Sequence, residues 1–186
     1  MQNEIRKYVM IVEGIKLTLS LNRLPYKRTD LDPVMSEATL DYHYGKLAKA
    51  YVDRYNSGEG DPKFNKNGAD LHNIFFPQLQ APRSGNKPVG NAADFIERNF
   101  KTFDAFKDQI TERAMGIQGS GWVFLDRSGN IQTIANHSIT GNTDRIVLLI
   151  DWWEHAWALD YQSDKKKYLE NFWRIVDWNV VNQRLI

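Results

Sequence analysis

The run Ile146-Val-Leu-Leu-Ile150, opened by Arg145 and closed by Asp151-Trp-Trp-Glu-His-Ala-Trp157, constrains this chain more than any other stretch. Unbroken apolar residues rich in β-branched types fit a buried strand. The sequence then turns aromatic and charged, with Asp151 and His155 four residues apart. A carboxylate at a strand end and an imidazole one turn later can converge on one point. The chain has no cysteine, so a metal held there must take nitrogen and oxygen ligands. Its four histidines are His43, His72, His137 and His155, and each lies in a segment that can be read as part of one site.

Composition bounds the alternatives. A chain of 186 residues can form one large domain or two small ones and bury a sizeable core. A formal net charge of +1 gives no reason to expect nucleic acid or a membrane surface as partner. The absence of cysteine excludes disulfides and thiol catalysis without fixing the compartment. No apolar run is long enough to span a bilayer. Glu13 and Lys16 interrupt the only stretch that could serve as a signal peptide, so a cytoplasmic location is expected.

Periodicity and breakers predict an α+β organisation. Residues 1–22 read as an N-terminal extension, in which Val9, Ile11, Ile15, Leu17 and Leu19 suggest a strand or extended arm. Residues 23–82 read as a helical hairpin domain. Ser36 is placed to cap a helix running to about Tyr55, with Leu40, Tyr44, Leu47 and Tyr51 as its apolar stripe and His43 beside it. After Gly58-Glu-Gly60-Asp-Pro62, a short helix is expected from about Asn67 to Phe76, carrying Leu71, His72 and Phe75 and ended by Pro77. Residues 80–88 read as a linker. Residues 89–186 form the α+β part: helices near 92–99 and 102–115, a hairpin of Trp122–Asp126 with Asn130–Ala135, Arg145–Ile150 as third strand, and a final helix with Tyr168, Phe172, Ile175 and Val176 on one stripe.

Each histidine alone is weak evidence of a site. His43 and His72 fit partly buried core positions as well as ligands, and His137 fits a loop residue bonded to backbone. The Asp151–His155 pair is more telling, because a buried ion pair among tryptophans is costly without a use, although a structural carboxylate–histidine bridge competes with it.

Taken together, the motifs resemble the iron/manganese superoxide dismutases. The resemblance runs from about Leu24 to the C-terminus: Leu24-Pro25-Tyr26, Asp41-Tyr-His-Tyr-Gly-Lys46, Ala50-Tyr51-Val52, Leu71-His72, Gly119-Ser-Gly-Trp122, Asp151-Trp-Trp-Glu-His-Ala-Trp157, Tyr168-Leu-Glu-Asn-Phe-Trp173 and Val176-Asp-Trp178. It implies a helical hairpin domain followed by a three-stranded antiparallel sheet flanked by helices. It implies His43, His72, Asp151 and His155 as ligands of one Fe or Mn per subunit, iron slightly favoured, with solvent as fifth ligand. Tyr51 would be the gateway tyrosine, Trp122 and Trp153 would wall the metal, and Glu154 would reach the partner's His155 across the two-fold axis of a homodimer. The implied activity is disproportionation of superoxide. A dismutase-fold structural or interaction module is the alternative, and a mononuclear metallohydrolase lacks a spare general base.

The chain also departs from the family pattern. The solvent-bonding Gln, which the family supplies from one of two positions, is Gly68 at the first and His137 at the second. A histidine there resembles a minority of members and would act in catalysis through the solvent. The usual second-sphere His is Leu47 and its tyrosine partner across the dimer is Ala158, so both halves of one hydrogen-bonded pair are replaced together. The cationic Arg-Pro near the substrate funnel is Lys165-Lys166, and the hairpin between His43 and His72 is short.

Overall fold

The computed structural model describes residues 18–186. The strand or arm expected through Val9, Ile11, Ile15 and Leu17 lies outside the described residues; Leu19 carries no regular structure.

Helix α1 spans Glu37–Tyr42, capped by the Ser36 side chain accepting from the Thr39 N–H at 3.1 Å. It does not run on as a plain α-helix. His43–Ala48 is wound as a π-helical turn before α2, Lys49–Ser57, resumes the ordinary pitch. The expected stripe therefore shifts. Leu40, His43, Ala48, Tyr51 and Val52 are buried, whereas Leu47 is only half-buried. The five-residue step from His43 to Ala48 is the spacing a π turn imposes, and such turns frequently accompany functional sites.

Helix α3, Pro62–Phe75, begins five residues earlier than expected. The Asp61 side chain accepts from the Phe64 N–H at 2.7 Å and Pro62 occupies the first turn, so the apparent breaker is the helix start. A 3₁₀ turn over Phe76–Gln78 ends it. Residues 80–88 are no free linker. Gln80 N–H donates to Ile175 O, Arg83 N–H to Arg174 O, and the Asn86 amide to the carbonyls of Trp173 and Val176. That segment is tied along the C-terminal part of the chain.

Helices α4 (Asn91–Phe100) and α5 (Phe103–Met115) lead into strands β1 (Gly121–Asp126), β2 (Ile131–Ala135) and β3 (Ile146–Asp151). The sheet is antiparallel with order β2-β1-β3. β1 and β3 are buried along their whole length, which explains the unalternating apolar run. β3 begins one residue later than expected, Arg145 belonging to a 3₁₀ turn, and it extends to Asp151, which sits opposite Trp122. Short α6 (Ala158–Tyr161), α7 (Lys165–Phe172) and α8 (Trp178–Arg184) complete the chain. The final stripe is buried as expected but not on one helix. Ile175 closes a 3₁₀ turn, and Val176 bridges to Leu79.

The helical hairpin and the sheet share one core. Leu71, Phe75 and Phe76 of the hairpin pack in the same cluster as Trp122, Phe124, Leu149 and Phe172. Polar bonds fix the register between them. The buried Gln78 amide donates to Leu149 O and accepts from Leu149 N–H at 3.1 Å, while Arg184 bonds Gln78 Oε1 at 2.9 Å and Ile74 O at 2.6 Å. With every member buried or nearly so, this clamp sets where α3, and therefore His72, stands relative to β3. Among the described residues no helix is long and apolar enough to cross a membrane.

Candidate metal centre

Four elements meet at one point. His43 comes from the π turn, His72 from α3, Asp151 from the end of β3 and His155 from the 3₁₀ turn Glu154–Ala156 that follows. One ligand atom from each lies within 4.8 Å of all the others. His43 Nε2 is 3.0 Å from Asp151 Oδ2, His155 Nε2 is 3.5 Å and His72 Nε2 is 3.7 Å from that same oxygen, and the His43 and His72 Nε2 atoms are 3.1 Å apart. His43, His72 and Asp151 have no exposed surface. The short hairpin thus brings His72 beside Asp151.

The surrounding bonds orient these donors. His72 Nδ1 lies 2.6 Å from Gly68 O and donates to it, which turns the Nε2 lone pair inward. Asp151 Oδ1 accepts from Trp153 N–H at 2.8 Å, leaving Oδ2 buried without a hydrogen-bond partner. His155 Nε2 is likewise buried and unpartnered. A buried carboxylate oxygen and a buried imidazole nitrogen left unsatisfied at one point are expensive, and a cation is the occupant that satisfies both. Oxygen and nitrogen donors without sulfur suit iron or manganese better than a soft metal.

The electrostatics agree. Burial would raise the Asp151 pKa, but His155 and His43 outweigh it and hold the carboxyl well below its usual range. Burial pushes His43 down to about 4, helped by His155, and drives His72 well below its ordinary value. All three are therefore in their metal-binding protonation states at neutral pH. A testable consequence concerns the metal-free protein. The unfolded chain takes up protons on these histidines near pH 6.5, while the native site resists them. Native stability is then complete above that pH and falls as pH drops toward 4. Urea midpoints of the metal-free protein should decline between pH 7 and pH 5; a flat profile would contradict the assignment.

His137 is no surface loop residue; it is 1 % exposed. Its ring stacks on Trp153 at 4.6 Å and meets Tyr51 and Phe64 at 4.8 Å each. The Trp122 indole N–H donates to His137 Nδ1 at 3.1 Å, so the neutral ring carries its proton on Nε2, which is buried without a partner. Burial lowers its pKa to about 4. Gly68 complements this arrangement. A Cβ there would lie 2.9 Å from the Tyr51 ring and 3.1 Å from His137 Cδ2, so His137 and Tyr51 occupy the space a residue 68 side chain would need.

Tyr51 is buried, stacks on His72 at 5.5 Å, and burial raises its phenol to about 12. Trp122 meets His72 edge-on at 5.1 Å, and Trp153 stacks on His155 at 5.6 Å. Glu154 is exposed in the single chain and borders the same surface bowl as His155. Lys165 stands over the Trp157 ring at 5.0 Å and the Trp152 ring at 5.9 Å.

Sequence reasoning missed three contributors. Phe75 and Phe76 pack on His43 at 5.6 and 4.9 Å, and Phe64 covers His137 and Tyr51. Phe64 lies eight residues before His72, on the same helix; starting α3 at Asp61-Pro62 would have exposed that relation.

Comparison with known proteins now bears on this geometry. The family model described as iron/manganese superoxide dismutases, C-terminal domain, matches residues 88–184, and the alpha-hairpin domain of the same family matches residues 18–61. The superoxide dismutase [Fe] of Bacteroides fragilis is 34% identical over 194 residues, covering 91% of this chain and 100% of that protein. Those of Pyrobaculum aerophilum and Escherichia coli K12 are 32% and 33% identical over 192 residues each, covering 89% and 91% of this chain and 91% and 99% of theirs. Extended similarity across both parts of the chain, together with the convergent donor set, leads to one conclusion: the chain belongs to the iron/manganese superoxide dismutase family.

Proposed function

We propose that this protein disproportionates superoxide to dioxygen and hydrogen peroxide, with one Fe or Mn held by His43, His72, Asp151 and His155, iron preferred. The convergence of three imidazole Nε2 atoms on the unpartnered Asp151 Oδ2 carries the reading. A single carboxylate and three neutral imidazoles would leave a cation held there a modest positive charge, and that cation would supply the electron exchange the reaction needs. A complete, buried donor set argues against an inert structural module.

The remaining residues bind, orient and exclude. His137 offers an Nε2–H donor beside the ligands and would position a solvent molecule there, in the place of the family's Gln. Trp122 fixes the tautomer that makes this donor available. Trp153 and Phe64 shield that ring from bulk water, and Tyr51, raised to about 12, stays a neutral proton donor at the entrance. Lys165, held against two indoles, would contribute positive potential for an anionic substrate without the fork of an arginine. The test is a dismutase assay on protein loaded separately with iron and manganese, with bound metal quantified. Equal absence of turnover in both fully loaded forms would overturn the proposal.

Assembly follows from the same face. Leu47, Ala158, Tyr42 and Leu159 line a bowl of about 870 Å³ together with Glu154 and His155. Leu159 is 63% and Tyr42 48% exposed, two large apolar groups left uncovered on the border of this bowl. We propose that a second copy covers it, Leu47 and Ala158 making an apolar contact and Glu154 bonding the His155 of the opposite subunit. Leu159→Asp should convert a dimer at micromolar concentration into a monomer by sedimentation. A wild-type protein already monomeric there would refute the assembly.

A further inference from the structure

On the side of the hairpin formed by the Leu24-Pro-Tyr26 segment lies a concavity of about 720 Å³ whose border includes Arg23, Tyr26, Lys27, Arg28, Asp30 and Tyr44. Its size falls within the range of about 300–1,000 Å³ typical of small-molecule sites. Three cations face one carboxylate. That carboxylate is fixed in place, because Asp30 Oδ2 accepts from the Lys27 backbone N–H at 2.8 Å, though its charge remains. Among the described residues, no acidic side chain is ion-paired with Arg23 or Lys27.

Arg28 is different, being held in place. Asp41 binds its guanidinium, which stands 5.7 Å from the centre of the Tyr44 ring, and Gly45 leaves the room it fills: a Cβ at 45 would lie 3.1 Å from an Arg28 terminal nitrogen. A guanidinium fixed in advance loses little freedom when it binds an anion. The tyrosine hydroxyls are spent on backbone, Tyr26 on Phe76 O at 3.0 Å and Tyr44 on Asn22 O at 2.9 Å. Two anchored aromatic rings and three positive side chains, of which Arg28 is paired with Asp41, therefore border one recess.

We propose that this recess binds a small phosphorylated ligand of nucleotide size, with its phosphates on Arg23, Lys27 and Arg28 and its planar group against a tyrosine. Phosphate on clustered guanidinium and ammonium groups is favoured by bidentate, charge-assisted bonds. A planar base is the ring partner such tyrosines can stack with. The site is independent of the dismutase reading, since it shares no residue with the proposed ligands or with His137.

The test is titration of the metal-loaded full-length protein with ATP in excess magnesium, so that the nucleotide does not strip the metal. Inorganic pyrophosphate, adenosine and a short single-stranded oligonucleotide are the comparison ligands. We expect saturable ATP binding that weakens as salt rises, weaker binding of pyrophosphate and none of adenosine. The double variant Arg23→Glu, Lys27→Glu should lose at least tenfold in affinity while keeping metal content, thermal midpoint and dismutase activity. Absence of saturable binding at millimolar ATP would overturn the proposal. So would unchanged affinity in the double variant, or an oligonucleotide that outcompetes ATP at equal phosphate concentration, which would make the face a nucleic-acid surface.

Discussion

Asp151→Asn is expected to empty the metal centre and abolish superoxide turnover. The substitution keeps the volume of the side chain, so the packing around Trp122 and Tyr168 survives; Tyr168 bonds the Asp151 backbone carbonyl at 3.2 Å, which the variant retains. What disappears is the one negative charge among the four donors. Removing a residue that merely supports a ligand costs about 10–100-fold in metal affinity. Loss of the sole anionic ligand should exceed that. The apo variant should also lose the attraction of His43 and His155 for the carboxylate, while the amide nitrogen that takes the place of Oδ2, with the amide oxygen still accepting from the Trp153 N–H, is uncharged and offers a cation no lone pair. Metal analysis after dialysis against a mild chelator, with a dismutase assay on the same sample, decides the matter. Wild-type metal content in Asp151→Asn would remove Asp151 from the ligand set. His43→Ala should give the same loss with a different accompaniment, because a cavity opens against Phe75 and Phe76 and lowers stability as well.

The proposed ligands were readable in the sequence for a physical reason. Asp151 closes an apolar run that has to be a buried strand, and His155 follows it by one turn, so the pair is local. His43 and His72 came from motif matches, and their convergence depends on contacts between distant segments. The Gln78–Leu149–Arg184 clamp that sets the distance between α3 and β3 left no pattern in the chain, because Gln78 and Arg184 are ordinary polar residues and Leu149 contributes only its backbone groups. Local signals also misled. Gly-Glu-Gly-Asp-Pro looks like a break, yet its last two residues are an N-cap and a first-turn proline. The amphipathic stripe through Leu47 assumed a uniform 3.6-residue period, whereas the π turn at His43 spends one additional residue and sends Ala48 inward instead. That shift leaves Leu47 half-buried on the proposed dimer face, where the family resemblance had placed a polar partner.

The second large effect is expected at His137. Its ring does two things at once: Nδ1 accepts from the Trp122 indole, and Nε2, which must then carry the proton, points into buried space without a protein partner. A glutamine can reproduce both roles through its amide oxygen and nitrogen, so His137→Gln should keep bound metal, shift the reduction potential and change which metal supports turnover. Alanine reproduces neither. His137→Ala leaves the Trp122 N–H buried and unpaired at a cost of about 1–3 kcal/mol, and it opens space beside Tyr51, Phe64 and Trp153 for disordered water. The alanine variant should therefore retain metal, because no ligand is touched, yet turn over at least tenfold more slowly. Moving the amide to the other family position is blocked in this chain. Gly68→Gln would drive its Cβ into the Tyr51 ring at 2.9 Å and His137 at 3.1 Å, so it should misplace Tyr51 and destabilise the fold while His137 remains. Combining Gly68→Gln with His137→Ala frees only the histidine side of that space, and recovery should be partial, limited by the Tyr51 contact. Midpoint potentials and activities at equal metal content, measured across the four variants, read these effects separately. Wild-type potential and activity in His137→Ala would assign the ring to packing alone.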